Sequence, residues 1–439
     1  MPKLRNYKIN DTLQVTCSEL SYEGLGISRL DDGYAIFTSD LFPSESANVT
    51  LVKVTSKYAF AKVEKLLTKS PQRNLIVQDC INSAPLINLQ YTSQIQFKND
   101  YFSKLLSWNL GPKVLENYSP FQASPVWQNY RNKVRYPFLI VNQKLHVAEY
   151  DIKSNDLHIA NNFDQNLPII NQTVEFLLDS INTFFTMSKK NNAHMFEELT
   201  IRSNNKNELS VAVKINSDYD IPSKLLQQFK TNPAIIDFNV IKKDKIINLY
   251  NIKPFTMYLN NKEFNCTISS FFQVNTTMAE IIFKKIAELV DQIPSNALLD
   301  AYCGVGVIGQ LVGTNKLVIG SDITPSAILD AKINAENNQI NGQYFVGDSA
   351  SVFKKRVKSL ADSILVLDPP RSGITPEFIA WIKQNKIQNV IYMSCDPKTL
   401  VRDLKELSSD YAIKYIQGFD MFPNTAHIES VTLLSYQQK

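Results

Sequence analysis

The sequence has no apolar run long enough to span a bilayer, and its N-terminus lacks the apolar core of a signal peptide. We therefore expect a cytoplasmic protein that is not tied to a membrane. The chain has 5 cysteines, and no two of them stand at C-x-x-C spacing. This scatter argues against a zinc ribbon, a thioredoxin-type redox motif and a disulfide framework, and it fits a reducing compartment.

The chain also lacks a large excess of positive or negative charge. The 46 lysines and arginines are nearly balanced by 42 aspartates and glutamates, which leaves a net charge of +4. Such a balance permits a nucleic-acid partner without arguing for one, so any basic surface must be local. With 439 residues, of which 44% are apolar, the chain is long enough for two or three ordinary domains.

Residues 7 to 65 carry short, alternating, β-branched runs separated by turns at Gly24, Gly26 and Asp31-Asp32-Gly33. Several short strands at this spacing predict a small, OB-like, all-β barrel. Barrels of this kind often bind oligonucleotides on one face, and others are purely structural modules. Residues 66 to 265 then predict a mixed α/β middle domain, in which a helix near 91–107 is a candidate to pack on the C-terminal domain.

A basic segment interrupts this middle region. Gln128-to-Lys144 contains Arg131, Lys133, Arg135 and Lys144 without any acidic residue, and three aromatic residues are interleaved with them. Cations among aromatic rings suit phosphates and stacked bases. A β-hairpin with one solvated face explains the same pattern equally well.

From about Phe271 onward, helical and strand-like segments alternate. This rhythm predicts a Rossmann-like, doubly wound, mostly parallel α/β domain. Leu298-to-Gly309 predicts a strand, a turn containing Gly304 and Gly306, and the start of a helix. Asp322 closes the next strand, where it can accept hydrogen bonds from ribose hydroxyls. A dinucleotide and S-adenosylmethionine both fit this unit.

Another strand end carries Asp368, followed by Pro369-Pro370-Arg371. A carboxylate there can accept from a polar ligand group, and rigid prolines can shape a slot for a flat base. Dehydrogenases do not usually need this element, so it shifts the balance toward methyl transfer. Near the C-terminus, His427 and Glu429 are two residues apart and share a face of an extended segment, so either could act as a base.

The apolar run from Asn389 ends in Ser394-Cys395-Asp396-Pro397, after which a helix can begin. A thiol at the carboxyl end of a strand is a candidate nucleophile, because the helix N-terminus behind it favours the thiolate. A buried structural cysteine is the alternative interpretation of this residue taken alone.

Taken together, these motifs resemble the RNA uracil-C5 methyltransferases, which use S-adenosylmethionine to make 5-methyluridine in ribosomal and transfer RNA. The resemblance covers nearly the whole chain. The segments that carry it are Tyr22-to-Arg29 (TRAM domain), Asn129-to-Lys133 (basic RNA-contacting signature), Ser270-to-Asn275 (cofactor-and-base loop), Asp300-to-Gly306, Asp368-to-Arg371, Ser394-to-Pro397 and His427-to-Glu429.

The resemblance implies three domains, an RNA-binding barrel at 1–65, a middle domain at 66–265 and a methyltransferase domain at 266–439. It implies that Cys395 adds to uracil C6 and that Glu429 accepts the C5 proton. The cofactor site that it implies is lined by Gln273, Tyr302, Gly304, Gly306, Asp322, Asp348 and Asp368. The RNA contacts that we expect come from Arg131, Lys133 and Phe271, the last by stacking near the target base.

Two features depart from the family pattern. Many relatives hold an iron–sulfur cluster with four cysteines, whereas here Cys80 is followed by Ile81-Asn82-Ser83-Ala84 and the fourth position falls near Asn161-Asn162. We therefore expect no cluster and no metal. The LPGE turn of the barrel is replaced by Leu41-Phe42-Pro43-Ser44-Glu45, which affects the RNA-binding loop rather than the barrel.

We expect the substrate to be 23S ribosomal RNA, since cluster-free relatives act on large-subunit RNA, with the transfer-RNA T-loop as the alternative. We expect a monomer. Two other functions stay open: an RNA-binding factor with a degenerate methyltransferase fold, and a methyltransferase for an exocyclic amine, which would need no thiol.

Overall fold

The computed structural model describes residues 7–75, 82–151, 156–160, 163–188, 193–357, 360 and 362–437. The chain forms two compact units. The first comprises Met1–Tyr101, Glu149–Phe163 and Phe422–His427, and the second comprises Phe102–Ala148, Asp164–Met421 and Ile428–Lys439. Among the helices described, none has the length and apolar character needed to cross a membrane.

Six strands of the first unit form one sheet: β1 (Thr12–Thr16), β2 (Glu19–Leu20), β3 (Gly26–Arg29), β4 (Ala35–Ser39), β5 (Ser46–Val54) and β6 (Tyr58–Thr68). Their order is β1-β5-β6-β4-β3-β2, and only the β4–β6 pair is parallel. Side chains alternate between the two faces of a strand, so one face of each strand is buried, as Ile36, Val49 and Ala61 are. The all-β N-terminal module is confirmed.

The turn that departs from the family pattern is built around Glu45, which is fully buried. Its carboxylate accepts from the main-chain N–H of Phe42 at 2.9 Å and from Nε of Arg73 at 2.7 Å. Arg73 also donates to Asp40 at 3.0 Å. Because each buried charge has a partner, this cluster fixes the turn to the segment that follows the barrel.

The chain continues with α1 (Tyr91–Leu110), a 3-10 helix (Pro112–Asn117) and β7 (Tyr118–Gln122). The predicted helix near 91–107 is thus present and slightly longer. The next elements are β8 (Lys133–Val141), β9 (Lys144–Tyr150), β10 (Leu157–Ile159), α2 (Pro168–Ser188), a 3-10 helix (Ala193–Met195), β11 (Phe196–Ser203), β12 (Leu209–Ile215), α3 (Ser223–Phe229), β13 (Ile235–Lys242) and β14 (Lys245–Asn251). Their strands form a mixed sheet in the order β10-β9-β8-β11-β12-β13-β14.

The C-terminal part begins with a hairpin and then alternates. Its elements are β15 (Thr256–Leu259), β16 (Lys262–Asn265), α4 (Thr276–Asp291), β17 (Ala297–Ala301), α5 (Val307–Val312), β18 (Leu317–Asp322), α6 (Pro325–Asn337), β19 (Gly342–Val346), α7 (Ser349–Arg356), β20 (Ser363–Leu367), α8 (Pro376–Gln384), β21 (Asn389–Ser394), α9 (Pro397–Leu407), β22 (Tyr411–Phe419) and β23 (Glu429–Tyr436). The large sheet has the order β19-β18-β17-β20-β21-β23-β22-β7. Strands β17 to β21 are parallel, which confirms the doubly wound fold.

The sequence patterns missed α7 and β22 of this part, and they also missed β7. Strand β7 belongs to the sequence segment before the middle sheet, yet it pairs in parallel with β22 at the edge of the large sheet. Its partner residues lie almost 300 positions away, so local periodicity could not have assigned it. A short stretch containing Pro120 is also a poor strand candidate unless it lies at an edge.

Candidate active site

Most of the predicted cofactor and catalytic residues lie at the carboxyl ends of the parallel strands, at one edge of the large sheet. The residues at these ends, or just beyond them, are Tyr302, Asp322, Asp348, Asp368 and Cys395. Ligands of doubly wound sheets bind at this edge, where the strand order reverses, here between β17 and β20. The fold therefore places these side chains around one ligand position.

The loop after β17 lets a ligand approach its backbone. Gly304 has a φ of 52°, and a β-carbon there would meet no heavy atom within 4 Å. Its N–H donates to Oδ2 of Asp322 at 3.1 Å. Gly306 has a φ of 81° and is needed for packing, since a β-carbon would lie 2.6 Å from Nε2 of Gln310. Open backbone beside a strand-end carboxylate fits a nucleoside ligand.

Asp300 supports this loop from within β17. Its Oδ2 accepts from the N–H of Gly309 at 2.9 Å, while its buried Oδ1 has no hydrogen-bond partner among the described residues. Burial, assisted by the charges of Asp368 and Asp322, raises the pKa of Asp300 to about 7. The structure thus keeps several carboxyl groups close together at this edge.

Tyr302 and Asp348 lie on either side of the same loop region. Tyr302 has a positive φ of 62°, and its ring meets Phe378 edge-on with the ring centroids 6.0 Å apart. Burial raises the pKa of Tyr302 to about 12, and Asp348 contributes through its charge. Asp348 also caps α7, because its Oδ1 accepts from the N–H of Ser351 at 3.0 Å.

Cys395 and Glu429 extend two neighbouring antiparallel strands. Ser394, the last residue of β21, pairs with Ser430 of β23, and Oγ of Ser430 donates to the carbonyl of Ser394 at 3.2 Å. One residue further out, the strands carry Cys395 and Glu429. The strand register therefore sets the thiol and the carboxyl side by side at the sheet edge.

The protonation state of the thiol differs from the sequence-based expectation. Burial, followed by the charges of Glu429 and Asp368, raises the pKa of Cys395 to about 12. Arg371 acts in the opposite direction but does not compensate. The N-terminus of α9 is occupied by its own cap, since Asp396 accepts from the N–H of Lys398 at 2.8 Å. In the free protein the thiol, rather than the thiolate, prevails near neutral pH.

Asp368 and Glu429 are two acidic side chains whose pKa values are both raised in the site. Burial raises the pKa of Asp368 to about 7. The pKa of Glu429 is raised well above its usual value, first by burial and then by the charge of Asp368. Oε1 of Glu429 is buried without a hydrogen-bond partner among the described residues. Asp368 can therefore take up or release a proton near neutral pH, whereas Glu429 holds its proton more firmly than a free carboxyl does.

The loop carrying Phe271 and Gln273 is held by residues of the basic segment. The side chain of Asn132 donates to the carbonyl of Gln273 at 3.0 Å and to Oγ1 of Thr276 at 3.0 Å. Lys133 donates through Nζ to the carbonyl of Ile268 at 2.9 Å. Burial lowers the pKa of Lys133 to about 8. These two residues fix the backbone of residues 268 to 274.

A third residue, Arg202 of β11, holds the same loop and was not singled out in the sequence. Its guanidinium is buried and donates to the carbonyl of Ser270 at 2.5 Å and to Sγ of Cys266. Arg202 lies 64 residues from Cys266 in the chain. No local sequence motif includes Arg202. Asn132 and Arg371 do lie inside motifs that carry the family resemblance, but the sequence predicted no role for either of them.

The remaining predicted residues are placed as follows. Phe271 is 69% exposed on this loop, as a side chain that stacks on an incoming base would be. Gln273 is buried. Arg131 is partly buried, and its Nε donates to the carbonyl of Lys133 at 3.0 Å. His427 belongs to the first unit, where its ring meets Phe422 edge-on at 5.9 Å.

The cluster prediction lies partly outside the described residues, which do not include Cys80, Ile81, Asn161 and Asn162. In the described parts of the chain, no group of three or more His, Cys, Asp or Glu side chains is arranged to hold a metal ion. The expectation of a cluster-free chain stays a prediction.

The sequence of this chain was compared with models of known protein families and with known proteins. The model of the tRNA (Uracil-5-)-methyltransferase family matches residues 90–437, and that of the TRAM domain matches residues 8–63. An uncharacterized RNA methyltransferase of Lactobacillus johnsonii is 29% identical, over 98% of this chain and 99% of its own. One of Enterococcus faecalis is 27% identical, over 98% and 99%.

A solved structure shares the fold. The tRNA (uracil-54, C5)-methyltransferase of Pyrococcus abyssi, in complex with S-adenosyl-L-homocysteine, superposes with a TM-score of 0.73 at 21% identity. The match covers 96% of this chain and 100% of that one. The family match spans well over half of the sequence and includes the whole strand edge described above. The chain therefore belongs to the tRNA (uracil-5-)-methyltransferase family and carries an N-terminal TRAM domain.

Proposed function

We propose that this chain transfers a methyl group from S-adenosylmethionine to C5 of a uridine in RNA, through covalent addition of Cys395 to uracil C6. The observation that carries the proposal is the side-by-side placement of Cys395 and Glu429 at the strand edge that also bears the glycine loop. A nucleophile, a proton acceptor and a nucleoside site at one edge are what this chemistry needs.

The residues present fit the cofactor. The open backbone at Gly304 would accept its amino-acid portion, and Asp322 would accept hydrogen bonds from its ribose. Both oxygens of Asp322 already accept one main-chain N–H, yet each carboxylate oxygen has a second lone pair. Tyr302, Gln273 and Asp348 would complete the site. When bound, S-adenosylmethionine supplies an activated methyl group.

The role of Cys395 follows from the reactivity of uracil, whose C5 is a poor nucleophile. Addition of Sγ to C6 makes C5 enolate-like, so that it can attack the methyl group. Glu429 then takes the proton from C5, and β-elimination restores the C5–C6 double bond and frees Sγ. Each bond formed to sulfur is broken again, so Cys395 is regenerated in every cycle.

The protonation states of the acidic groups in the free site support this sequence of steps. Because the pKa of Cys395 is raised, the thiol must lose its proton as it adds to the base. Asp368, whose pKa is raised to about 7, is partly ionised near neutral pH and so can take a proton from a neighbouring group. A protonated, partly buried thiol is also less reactive than a thiolate in the absence of substrate.

The target base must be extruded from its stack or already unpaired, because C6 cannot be reached within a helix. Phe271 is exposed on a loop whose backbone is held by Asn132 and Lys133, and it would stack against such a base. For the RNA itself, we propose 23S ribosomal RNA, on the ground that the chain resembles cluster-free relatives. The transfer-RNA T-loop is the second candidate, in keeping with the activity named for the Pyrococcus abyssi protein.

The test uses total RNA from a strain that lacks this protein, as separate ribosomal and transfer-RNA fractions. The purified chain and S-adenosylmethionine are added, and 5-methyluridine is quantified by mass spectrometry of nucleosides. Cys395→Ala should lower methylation by about 10⁴-fold or more, as loss of a nucleophile does elsewhere. Cys17→Ala, which changes a cysteine of the barrel core, is the matched control and should retain activity.

Two outcomes would support other functions. Methylation of an exocyclic amine that persists in Cys395→Ala would identify an amine methyltransferase. Retained S-adenosylmethionine binding without methyl transfer to any RNA would identify a non-catalytic RNA-binding factor. The RNA fraction that gains 5-methyluridine decides between ribosomal and transfer RNA.

A further inference from the structure

Three polar side chains on one side of α6, the last of them at its C-cap, hold β16 and the segment that follows it. We call this segment, residues 266–274, the base loop, because it carries Phe271. The three helix residues are four positions apart, so they lie on the same side of the helix. The paired residues are Asn338 with Glu263, Asn334 with Asn265, and Asp330 with Ser270.

Asn334, the middle residue of the three, is fully buried. Its Oδ1 accepts from the N–H of Asn265 at 2.7 Å, and its Nδ2 donates to the carbonyl of the same residue at 3.3 Å. Nδ2 also donates to the carbonyl of Val305 at 3.1 Å. Val305 lies between Gly304 and Gly306 in the glycine loop. Asn334 therefore joins the main chain of that loop to the residue directly before the base loop.

The glycine loop also packs on α6 directly. A β-carbon on Gly306 would lie 3.2 Å from that of Ala331, a fully buried residue of the helix. The side chain of Gln310, just after the loop, donates to the carbonyl of Ala331 at 2.9 Å. Because packed interiors transmit small displacements, a shift of the glycine loop must be felt by α6 at the turn that carries Asn334.

An asparagine with several hydrogen bonds can be purely structural, and Asn338 provides the comparison. It accepts from the N–H of Glu263 at 3.2 Å and donates to the carbonyl of Glu263 at 2.8 Å, as Asn334 does with Asn265. Its further bond goes to the side chain of Gln310. The further bond of Asn334 goes to the main chain of the glycine loop. One amide group thus serves a carbonyl on each side, so moving one carbonyl displaces the donor of the other.

We propose that Asn334 is a positioning residue that couples the two loops. When S-adenosylmethionine occupies the glycine loop, Asn334 fixes the base loop in the position that receives the target base. The base loop is therefore most ordered in the cofactor-bound chain. The inference rests on the proposed function in taking the base loop as the place where the uridine enters. Two sites are coupled in this way when one set of bonds responds to both.

The test measures hydrogen–deuterium exchange in the full-length chain by mass spectrometry, without RNA. Peptides of the base loop that end before Gln273 are compared with and without saturating S-adenosyl-L-homocysteine, which has no methyl group to donate. In the parent, the ligand should slow exchange by about 5- to 150-fold, the usual range for two coupled sites. In Asn334→Ser, whose side chain is too short to reach both carbonyls, the slowing should fall to about twofold or less.

Two further variants separate the possible routes between the sites. Asn338→Ser is the matched control, because it makes the same substitution one turn later, at a residue that holds β16 in the same way. It should keep the full slowing. Gln273→Ala tests direct contact of the ligand with the base loop, and it should also keep the slowing once the ligand saturates. Calorimetric titration of S-adenosyl-L-homocysteine sets the saturating concentration for each variant.

A purely structural role gives a different result. Asn334→Ser would then speed exchange equally with and without the ligand, and the preserved slowing would overturn the inference. Slowing that is lost in Gln273→Ala but kept in Asn334→Ser would overturn it as well. Asn334→Asp, which keeps the acceptor for the N–H of Asn265, serves if Asn334→Ser does not fold, and it should also lose the slowing. Failure of the parent chain to methylate uridine would count against the proposed function alone, since no RNA enters this measurement.

Discussion

The side chain of Asn132 donates a 3.0 Å hydrogen bond to the main-chain carbonyl of Gln273, which lies 141 residues further along the chain. The contact joins the basic segment to the loop that is expected to meet both cofactor and base. A second bond, from the N–H of Asn132 to the carbonyl of Val274 at 2.9 Å, fixes the next residue as well. The segment predicted to contact RNA thus has a structural role within the site.

We expect Asn132→Asp to weaken S-adenosylmethionine binding by about 5- to 10-fold, because an aspartate of the same size cannot donate to the carbonyl of Gln273. Isothermal titration calorimetry in the absence of RNA measures this loss directly. Gln128→Ala, at an exposed position of the same segment, is the control. Equal cofactor affinity in Asn132→Asp and the parent would show that the loop holds Gln273 without this bond.

Lys133 offers a second prediction about the same loop. Since its ammonium is half-buried and bonded to the carbonyl of Ile268, it should add little to the salt dependence of RNA binding. Lys133→Met should therefore leave the salt slope within about 0.2 of the parent while lowering kcat. A drop of about 0.7 in the slope would instead indicate a direct phosphate contact, as we expect for Arg131→Met.

Some features of the site could be predicted from the sequence, and others could not. Cys395, Asp368 and Asp322 were predictable because each ends an apolar strand, and parallel strands bring their ends to one edge. Strand β7 and the Asn132–Gln273 bond were not, because they join residues far apart in the chain. The high pKa of Cys395 could not be predicted either. It depends on burial and on Glu429, and only the strand register shows that Glu429 lies beside the thiol.

That high pKa gives a third prediction. Because burial raises the pKa of Cys395 to about 12, its thiolate fraction should rise about tenfold per pH unit between pH 7 and pH 10. Alkylation of Cys395 by iodoacetamide, followed by mass spectrometry, should show this slope without a plateau. Asp368→Asn removes a charge that raises the pKa, so it should accelerate alkylation at pH 9. A plateau below pH 8 would mean that the thiol is activated before RNA binds.

The fourth prediction concerns Glu429. If this residue takes the C5 proton, Glu429→Gln should still allow addition of Cys395 and methyl transfer but should block elimination. A covalent complex of protein and RNA should then accumulate and survive denaturing gel electrophoresis. The double variant Cys395→Ala/Glu429→Gln is the control and should give no such band. Full turnover by Glu429→Gln would assign the proton transfer to another group, with Asp368 as the next candidate because its pKa is about 7.

The last prediction follows from Asp300, whose pKa is raised to about 7 by burial. In the unfolded chain this carboxyl ionises near pH 4, so between pH 4 and pH 7 the folded state binds more protons than the unfolded state. The stability contribution of Asp300 is thus largest below pH 4 and is lost as the pH rises toward 7. Asparagine keeps an acceptor for the N–H of Gly309 but cannot ionise.

We therefore expect the Tm of Asp300→Asn minus the Tm of the parent to increase by several degrees in total as the pH is raised from 5 to 8. Scanning calorimetry at matched ionic strength measures the difference at each pH. Asp362→Asn, at an exposed position before β20, is the control and should show no such trend. A Tm difference that shrinks over this range would mean that Asp300 is ionised and stabilised in the folded chain, so that the glycine loop carries a fixed negative charge before any ligand binds.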